Sequence, residues 1–224
     1  MKVDGRPYRT IWLNDDGISV SVIDQTLLPH RFKIVEWRTL EEVAEGIRNM
    51  VVRGAPLIGA SAGYGIALGM LRDASDKGFQ RAYELLFASR PTAVNLRWAL
   101  DRMRDALLPL HPNDRAAAAF TVAGKICDED VSNCSAIGEY GRSLIEQVWD
   151  KIDRSRPINL LTHCNAGWLA TVDWGTALAP IYKAFDASIP AYHGNQGLSL
   201  PVRTGSRDTL TTSFARLYSN AVDP

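Results

Sequence analysis

Cysteine is scarce in this 224-residue chain: Cys127, Cys134 and Cys164 are an odd number with no metal-type spacing. Neither a disulfide framework nor a zinc site is read from them, and a reducing location fits best. The four histidines, His30, His111, His163 and His193, show no H-x-x-x-H pairing. No metal site is therefore expected. Charge of one sign is not in excess either. Lys+Arg and Asp+Glu are 25 each, so no long-range field gathers nucleic acid or an anionic membrane. One local basic pocket for a small anion remains compatible with that balance. Long apolar runs are missing too. The longest uncharged run, Gly54 to Leu71, is diluted by five glycines, Ser61 and Tyr64, which suits a tightly packed internal helix better than a membrane span. Met1 to Pro7 has no apolar leader. The expectation is a cytoplasmic protein with no nucleic-acid or membrane partner.

What is present is a chain able to fold. Hydrophobic residues are 46% of it, and at ~100–200 residues per domain it makes one large domain or two small ones. The first segment reads as strands. Tyr8–Leu13 precedes the turn Asn14-Asp15-Asp16-Gly17, Ile18–Ile23 alternates, and Lys33–Trp37 follows; together they predict a small antiparallel sheet. Helices come next. Thr39-x-x-Glu42 is a capping box ahead of Val43, Ile47, Met50 and Val51. Pro56 suits the first turn of a second helix, in which Gly59, Gly63 and Gly65 would admit close neighbours. Further helices are predicted from Pro91 to Leu107, over Ala116–Ile126, and from about Ser132 to Ile152, the last with Ile137, Leu144, Ile145 and Val148 apolar.

The pattern changes at Arg156-Pro157. Ile158–Thr162 has the form of a buried parallel strand, His163–Gly167 reads as a tight loop, and Trp168 to Ala184 reads as a helix interrupted near Pro180. Strand, loop and helix open a doubly wound α/β domain. The predicted organisation is an N-terminal strand and helical domain, residues 1–155, followed by an incomplete Rossmann-like domain, 156–224.

Three positions could carry chemistry. Arg53-Gly54-Ala55-Pro56 enters a helix, where free N–H groups and the helix dipole favour an anion and Arg53 adds a charge suited to phosphate. Arg90-Pro91-Thr92 is a second arginine beside a helix start; spacing alone does not show that the two converge. Cys164 follows a strand at the end where open α/β sheets bind ligands, and a cysteine at a helix N-terminus becomes a better acid, base or nucleophile. The bland alternatives are a structural glycine turn, a solvated arginine and a small buried hydrophobe. Cys127 and Cys134 fall in helical stretches and are read as inert.

Val52–Gly59, Arg90–Leu96 and Leu161–Thr171 together resemble the methylthioribose-1-phosphate isomerases, in order and in spacing, from about Tyr8 to Phe185. Ribose-1,5-bisphosphate isomerases and the regulatory subunits of the translation-initiation exchange factor are related groups. The resemblance implies a cofactor-free aldose–ketose isomerisation in methionine salvage, from 5-methylthioribose 1-phosphate to its ribulose isomer, by a homodimer. It implies that Arg53, Gly54, Ala55 and Arg90 hold the sugar phosphate, with Gln196 of Gln196-Gly197 added, and that Cys164 is catalytic. The likeness ends after Asp186. The family's Glu-Thr-Arg-Pro segment and the catalytic aspartate of its Gly-Ala-Asp-Arg motif have no counterpart; Asp173 and Asp186 are the substitutes at hand. The chain is therefore read as C-terminally truncated or divergent after about residue 187, and as catalytically silent by itself. The alternative reading is a non-catalytic sugar-phosphate-binding or regulatory module.

Overall fold

In a computed structural model of the chain, residues 1–195 and 198–201 are described. Among the described residues the fold is mixed α/β, with small N-terminal antiparallel sheets and six α-helices. Two compact units divide it: Thr10–Asp130, and Met1–Arg9 together with the chain from Val131 onward.

In the Thr10–Asp130 unit, β3 (Ile11–Leu13), β4 (Val20–Ile23) and β5 (Ile34–Trp37) form the expected antiparallel sheet in the order β3-β4-β5. The capping box is as read: Thr39 Oγ1 accepts from Glu42 N–H, and the Glu42 carboxylate accepts from Thr39 N–H. It opens α1 (Leu40–Arg48), which buries Val43 and Ile47. Met50 is half exposed, because the backbone leaves the helix there at φ +59°. The glycine-rich run becomes α2 (Ala55–Arg72), buried on every side from Leu57 to Met70. A helix apolar all round must be central, and the missing side chains let neighbours touch it. A Cβ on Gly59 would stand 3.0 Å from the Asn95 carbonyl, and one on Gly65 2.9 Å from Leu86.

Around α2 pack α3 (Asp76–Ser89) and α4 (Val94–Leu107). Helix α3 is not among the helices expected from the sequence, although Ser75 caps it and Phe79, Ala82 and Leu86 give its buried face. Helix α4 starts three residues later than Pro91, since Arg90–Ala93 form a turn closed by the Ala93 N–H to Arg90 carbonyl bond. Of the residues the sequence places inward, Ala93, Leu96, Leu100, Met103 and Leu107, the last four are buried and Ala93, before the helix, is half-buried. The two helices expected over 116–152 are one, α5 (Pro112–Lys151), 40 residues long. The stretch between them holds no proline or glycine to stop the ladder, and both units draw on this helix. Of the apolar set expected on its second half, Ile145 is buried while Ile137, Leu144 and Val148 are exposed. Arg115, 4% exposed, ties its start to the preceding loops: the guanidinium donates to the carbonyls of Leu108, Leu110 and Ala74 and to Asp76.

The second unit begins with a hairpin that sequence reading missed. β1 (Lys2–Val3) and β2 (Arg6–Pro7) are joined by Asp4-Gly5, both at positive φ; Asp-Gly is the usual signal for such a turn. β6 (Ile158–Thr162) pairs in parallel with β7 (Ala191–Asn195), and β7 antiparallel with β8 (Leu198–Pro201). The parallel strand is as expected; among the described residues Ile158 is buried and Leu161 is 77% exposed. Between β6 and β7 lies α6 (Ala179–Asp186). It seats on α5 at Gly138 and Gly141, where a Cβ would meet Lys183 and Pro180. Ile145, Ile158, Ala184 and Ile189 form a core there, flanked by Trp149, Ile152 and Leu160.

Candidate active site

Gly54 is the N-cap of α2 at φ +96° and ψ 138°, a conformation that glycine tolerates and side chains do not. Its carbonyl accepts the first helical bond, from Ile58 N–H. The first-turn N–H groups of Ala55 and Leu57 precede any intrahelical partner, and Pro56 has none to offer, so this end can receive an anion. Arg53 stands immediately before it, half-buried, with its Nε out of solvent. Arg90 is the C-cap of α3, also half-buried, rather than the first residue of a helix. Because Gly59, one turn inside α2, touches the Asn95 backbone, the Arg53 loop and the Arg90 turn lie at the same end of the α2–α4 packing.

Cys164 belongs to the other unit. It follows the carboxyl end of β6, is exposed, and sits at φ +70°. Cys127 and Cys134 are buried. The helix expected from Trp168 to Ala184 is not formed. A single 3-10 turn, Trp168–Ala170, is followed by irregular chain up to α6. The reason is local. Gly175 takes φ +79°, and Pro180 fits only the first turn of the helix that follows. Between them, side chains satisfy the backbone: Thr171 Oγ1 accepts from Gly175 N–H at 3.0 Å, and Asp173 Oδ1 from Trp174 N–H at 2.8 Å. The Ala166 carbonyl accepts from the N–H groups of Thr176 and Leu178 at 3.0 and 3.3 Å, folding the loop back on itself. Cys164 therefore stands in a looped turn and not at a helix N-terminus. Asp173, expected within a helix, lies in this loop, and its carboxylate also accepts from the Met1 ammonium at 2.6 Å.

Two polar atoms of the loop, Asn165 Oδ1 and Trp168 Nε1, are buried with no hydrogen-bond partner among the described residues. Beneath the loop, Thr162 Oγ1 is 2.7 Å from His193 Nε2 on the neighbouring strand. His193 is 2% exposed, and burial lowers its pKa below the ordinary 6.5, so the ring is neutral at pH 7. No local motif signals this pair; parallel pairing of β6 with β7 is what makes it. Gln196 lies outside the described residues. No group of three or more His, Cys, Asp or Glu side chains suited to a metal occurs among the described residues, and no described helix is long and apolar enough to cross a membrane.

Known proteins resemble this chain along most of its length. It is 57% identical over 210 residues to the methylthioribose-1-phosphate isomerase of Paramagnetospirillum magneticum, covering 91% of this chain and 58% of that one. It is 61% identical over 192 residues to the enzyme of the same name from Methylobacterium nodulans, covering 86% and 52%. The chain thus spans little more than half the length of the curated relatives it matches. Among solved structures it is similar to 5-methylthioribose 1-phosphate isomerase from Pyrococcus horikoshii, with a TM-score of 0.68 and 39% identity over 83% of this chain and 51% of that one. It is also similar to the delta subunit of translation initiation factor eIF-2B from A. fulgidus, with a TM-score of 0.72 and 32% identity over 97% and 61%. The model of the initiation factor 2 subunit family matches residues 51–191, which include the Arg53 loop, the Arg90 turn and Cys164, and the chain belongs to that family.

Proposed function

We propose that this chain carries the sugar-phosphate site of a methylthioribose-1-phosphate isomerase. The identity to enzymes of that name, 57% across 91% of the chain, carries the reading. Arg53, Gly54 and Ala55 at the head of α2, with Arg90, would hold the phosphate and sugar through free N–H groups and two guanidinium charges. Gln196 is proposed as a further sugar contact. Cys164 is the proposed catalytic group. The proposed organisation keeps residues 1–155 as the strand and helical part and 156–224 as the start of a Rossmann-like catalytic part. A homodimer in the cytoplasm completes the reading, and sedimentation would check the dimer.

The chemistry explains why a thiol is wanted. In 5-methylthioribose 1-phosphate the anomeric oxygen is phosphorylated, so the ring does not open by the ordinary hemiacetal route. A group must assist ring opening, and hydrogen must then move between C2 and C1. A thiol paired with a carboxylate can serve as acid and base in turn. Cys164, exposed at the strand end, is available for one of these roles. Asp173 is a poor second, because its carboxylate is already engaged by the Met1 ammonium and the Trp174 amide. The proposal therefore assigns substrate binding to this chain. Phosphorus NMR of the chain with 5-methylthioribose 1-phosphate tests it. Broadening or a shift of the substrate signal is expected, and an unperturbed signal at millimolar protein would overturn the reading.

A non-catalytic regulatory module is the second reading. The likeness to the eIF-2B delta subunit across 97% of the chain favours it. Binding of the sugar phosphate without turnover agrees with both readings; conversion to the ketose decides for the first.

A further inference from the structure

Loop 163–178 carries two residues in the left-handed region besides its glycine: Cys164 at φ +70° and Trp174 at φ +70°. That backbone is costly for a bulky side chain and persists only where surrounding contacts over-determine it. For Trp174 the contact is Lys183 of α6. Its Nζ stands 4.1 Å from the centroid of the Trp174 ring. The same ammonium donates to Ser135 Oγ at 3.1 Å and lies 3.1 Å from Glu139 Oε1, both on α5. An ammonium has three donors, and this one has three acceptors: a hydroxyl, a carboxylate and a ring face. The side chain is 14% exposed. Its stem crosses α5 at Gly138, where a Cβ would come within 2.9 Å of Lys183 Cγ. Glu139 is in turn held by Arg142, and these two cations keep its carboxyl below the ordinary carboxylate value.

The connection onward to Cys164 is short. Gly175, next to Trp174, lies against the backbone of Ala166, Gly167 and Trp168. The Thr176 and Leu178 amides then bond the Ala166 carbonyl, two residues from Cys164. We propose that Lys183 is a positioning residue, which clamps Trp174 against α5 and so fixes the loop that presents Cys164. The inference rests on the reading of Cys164 as the reactive group, but its test needs no substrate.

Amide hydrogen exchange of Thr176 and Leu178 in the whole chain reads the clamp directly. Lys183→Met keeps the stem over Gly138 and removes the charge; Trp174→Leu removes the ring face. Each should speed exchange at these two amides by roughly tenfold, the scale of a desolvated cation–π contact. Amides in the α5 turn around Ile145 should keep their parental rates. Lys183→Arg, which retains cation and reach, should restore slow exchange. The iodoacetamide labelling rate of Cys164 should change by about threefold or more in Lys183→Met and return with arginine. Unchanged loop exchange in both variants, acceleration spread evenly over α5 and α6, or failure of arginine to rescue would overturn the proposal. Should Lys183→Met not fold, Trp174→Leu and Lys183→Arg decide by the same readings. Failure of sugar-phosphate binding alone would count against the proposed function and leave the clamp standing.

Discussion

Gly175 offers a measurement of how the Cys164 loop is held. Its φ of +79° lies where an L-residue is strained, and a Cβ there would stand 2.5 Å from Gly167 C, 2.8 Å from Trp168 N and 2.9 Å from the Ala166 carbonyl. All three are backbone atoms, so no side chain can swing away. Gly5 makes the control, for it has φ +78° and nothing within 4 Å of its Cβ position. Alanine at Gly5 should cost only the conformational strain, about 1 kcal/mol. Alanine at Gly175 carries the same strain plus the overpacking of a closed site, about 1–3 kcal/mol more, for a total near 3 kcal/mol. Urea unfolding followed by tryptophan fluorescence would report both variants, with Trp168 and Trp174 inside the loop. The Gly175→Ala midpoint should fall well below that of Gly5→Ala, and the Thr176 and Leu178 amides should lose protection. Equal costs for the two variants would refute the close approach of Gly175 to Gly167 and Trp168.

Other consequences are as direct. Cys164 should alkylate faster than the buried Cys127 and Cys134, and peptide mass spectrometry after timed labelling would show it; equal labelling in the folded chain would contradict the exposure described. Arg115→Met should destabilise the chain by about 1.5–3 kcal/mol, since it removes the buried guanidinium that donates to the Leu108, Leu110 and Ala74 carbonyls, and a denaturant titration would measure the loss. His193 has a folded pKa below its unfolded value of 6.5, so the unfolded chain takes up the proton first. Its contribution to stability is present above pH 6.5 and declines as pH falls from there toward the folded pKa. Unfolding midpoints at pH 7.5 and 5.5 should differ less in His193→Gln than in the parent.

Local chemistry was the legible part of the sequence. The Thr39 capping box and the Pro56 helix start depend on neighbours in the chain, and each appears where the residues put it; the alternation of Ile18–Ile23 gives a strand but not a half-buried one, since Val20–Ile23 are all buried and Ile18 is exposed. The same holds for the α2 glycines, whose missing side chains face Asn95 and Leu86. The errors have tertiary causes. Apolar spacing over Trp168–Ala184 mimics a helix, but Gly175 at positive φ and the Thr171 and Asp173 side chains satisfy the backbone in another way. On the second half of α5 apolar type alone does not decide burial, for Ile145 is buried while Ile137, Leu144 and Val148 are exposed. At the candidate site, the residue types at Arg53, Arg90 and Cys164 were legible. The meeting of Gly59 with Asn95 and the Thr162–His193 pair were not, because they join segments distant in sequence.

The central claim is that the head of α2 in this chain binds a sugar phosphate. Titration calorimetry with 5-methylthioribose 1-phosphate tests it most directly, comparing the parent with Arg53→Ala. Loss of a charge-assisted bond worth roughly 1.5–3 kcal/mol should weaken binding by about 10- to 150-fold. Equal affinity in the two proteins, or no heat of binding in the parent, would contradict the account.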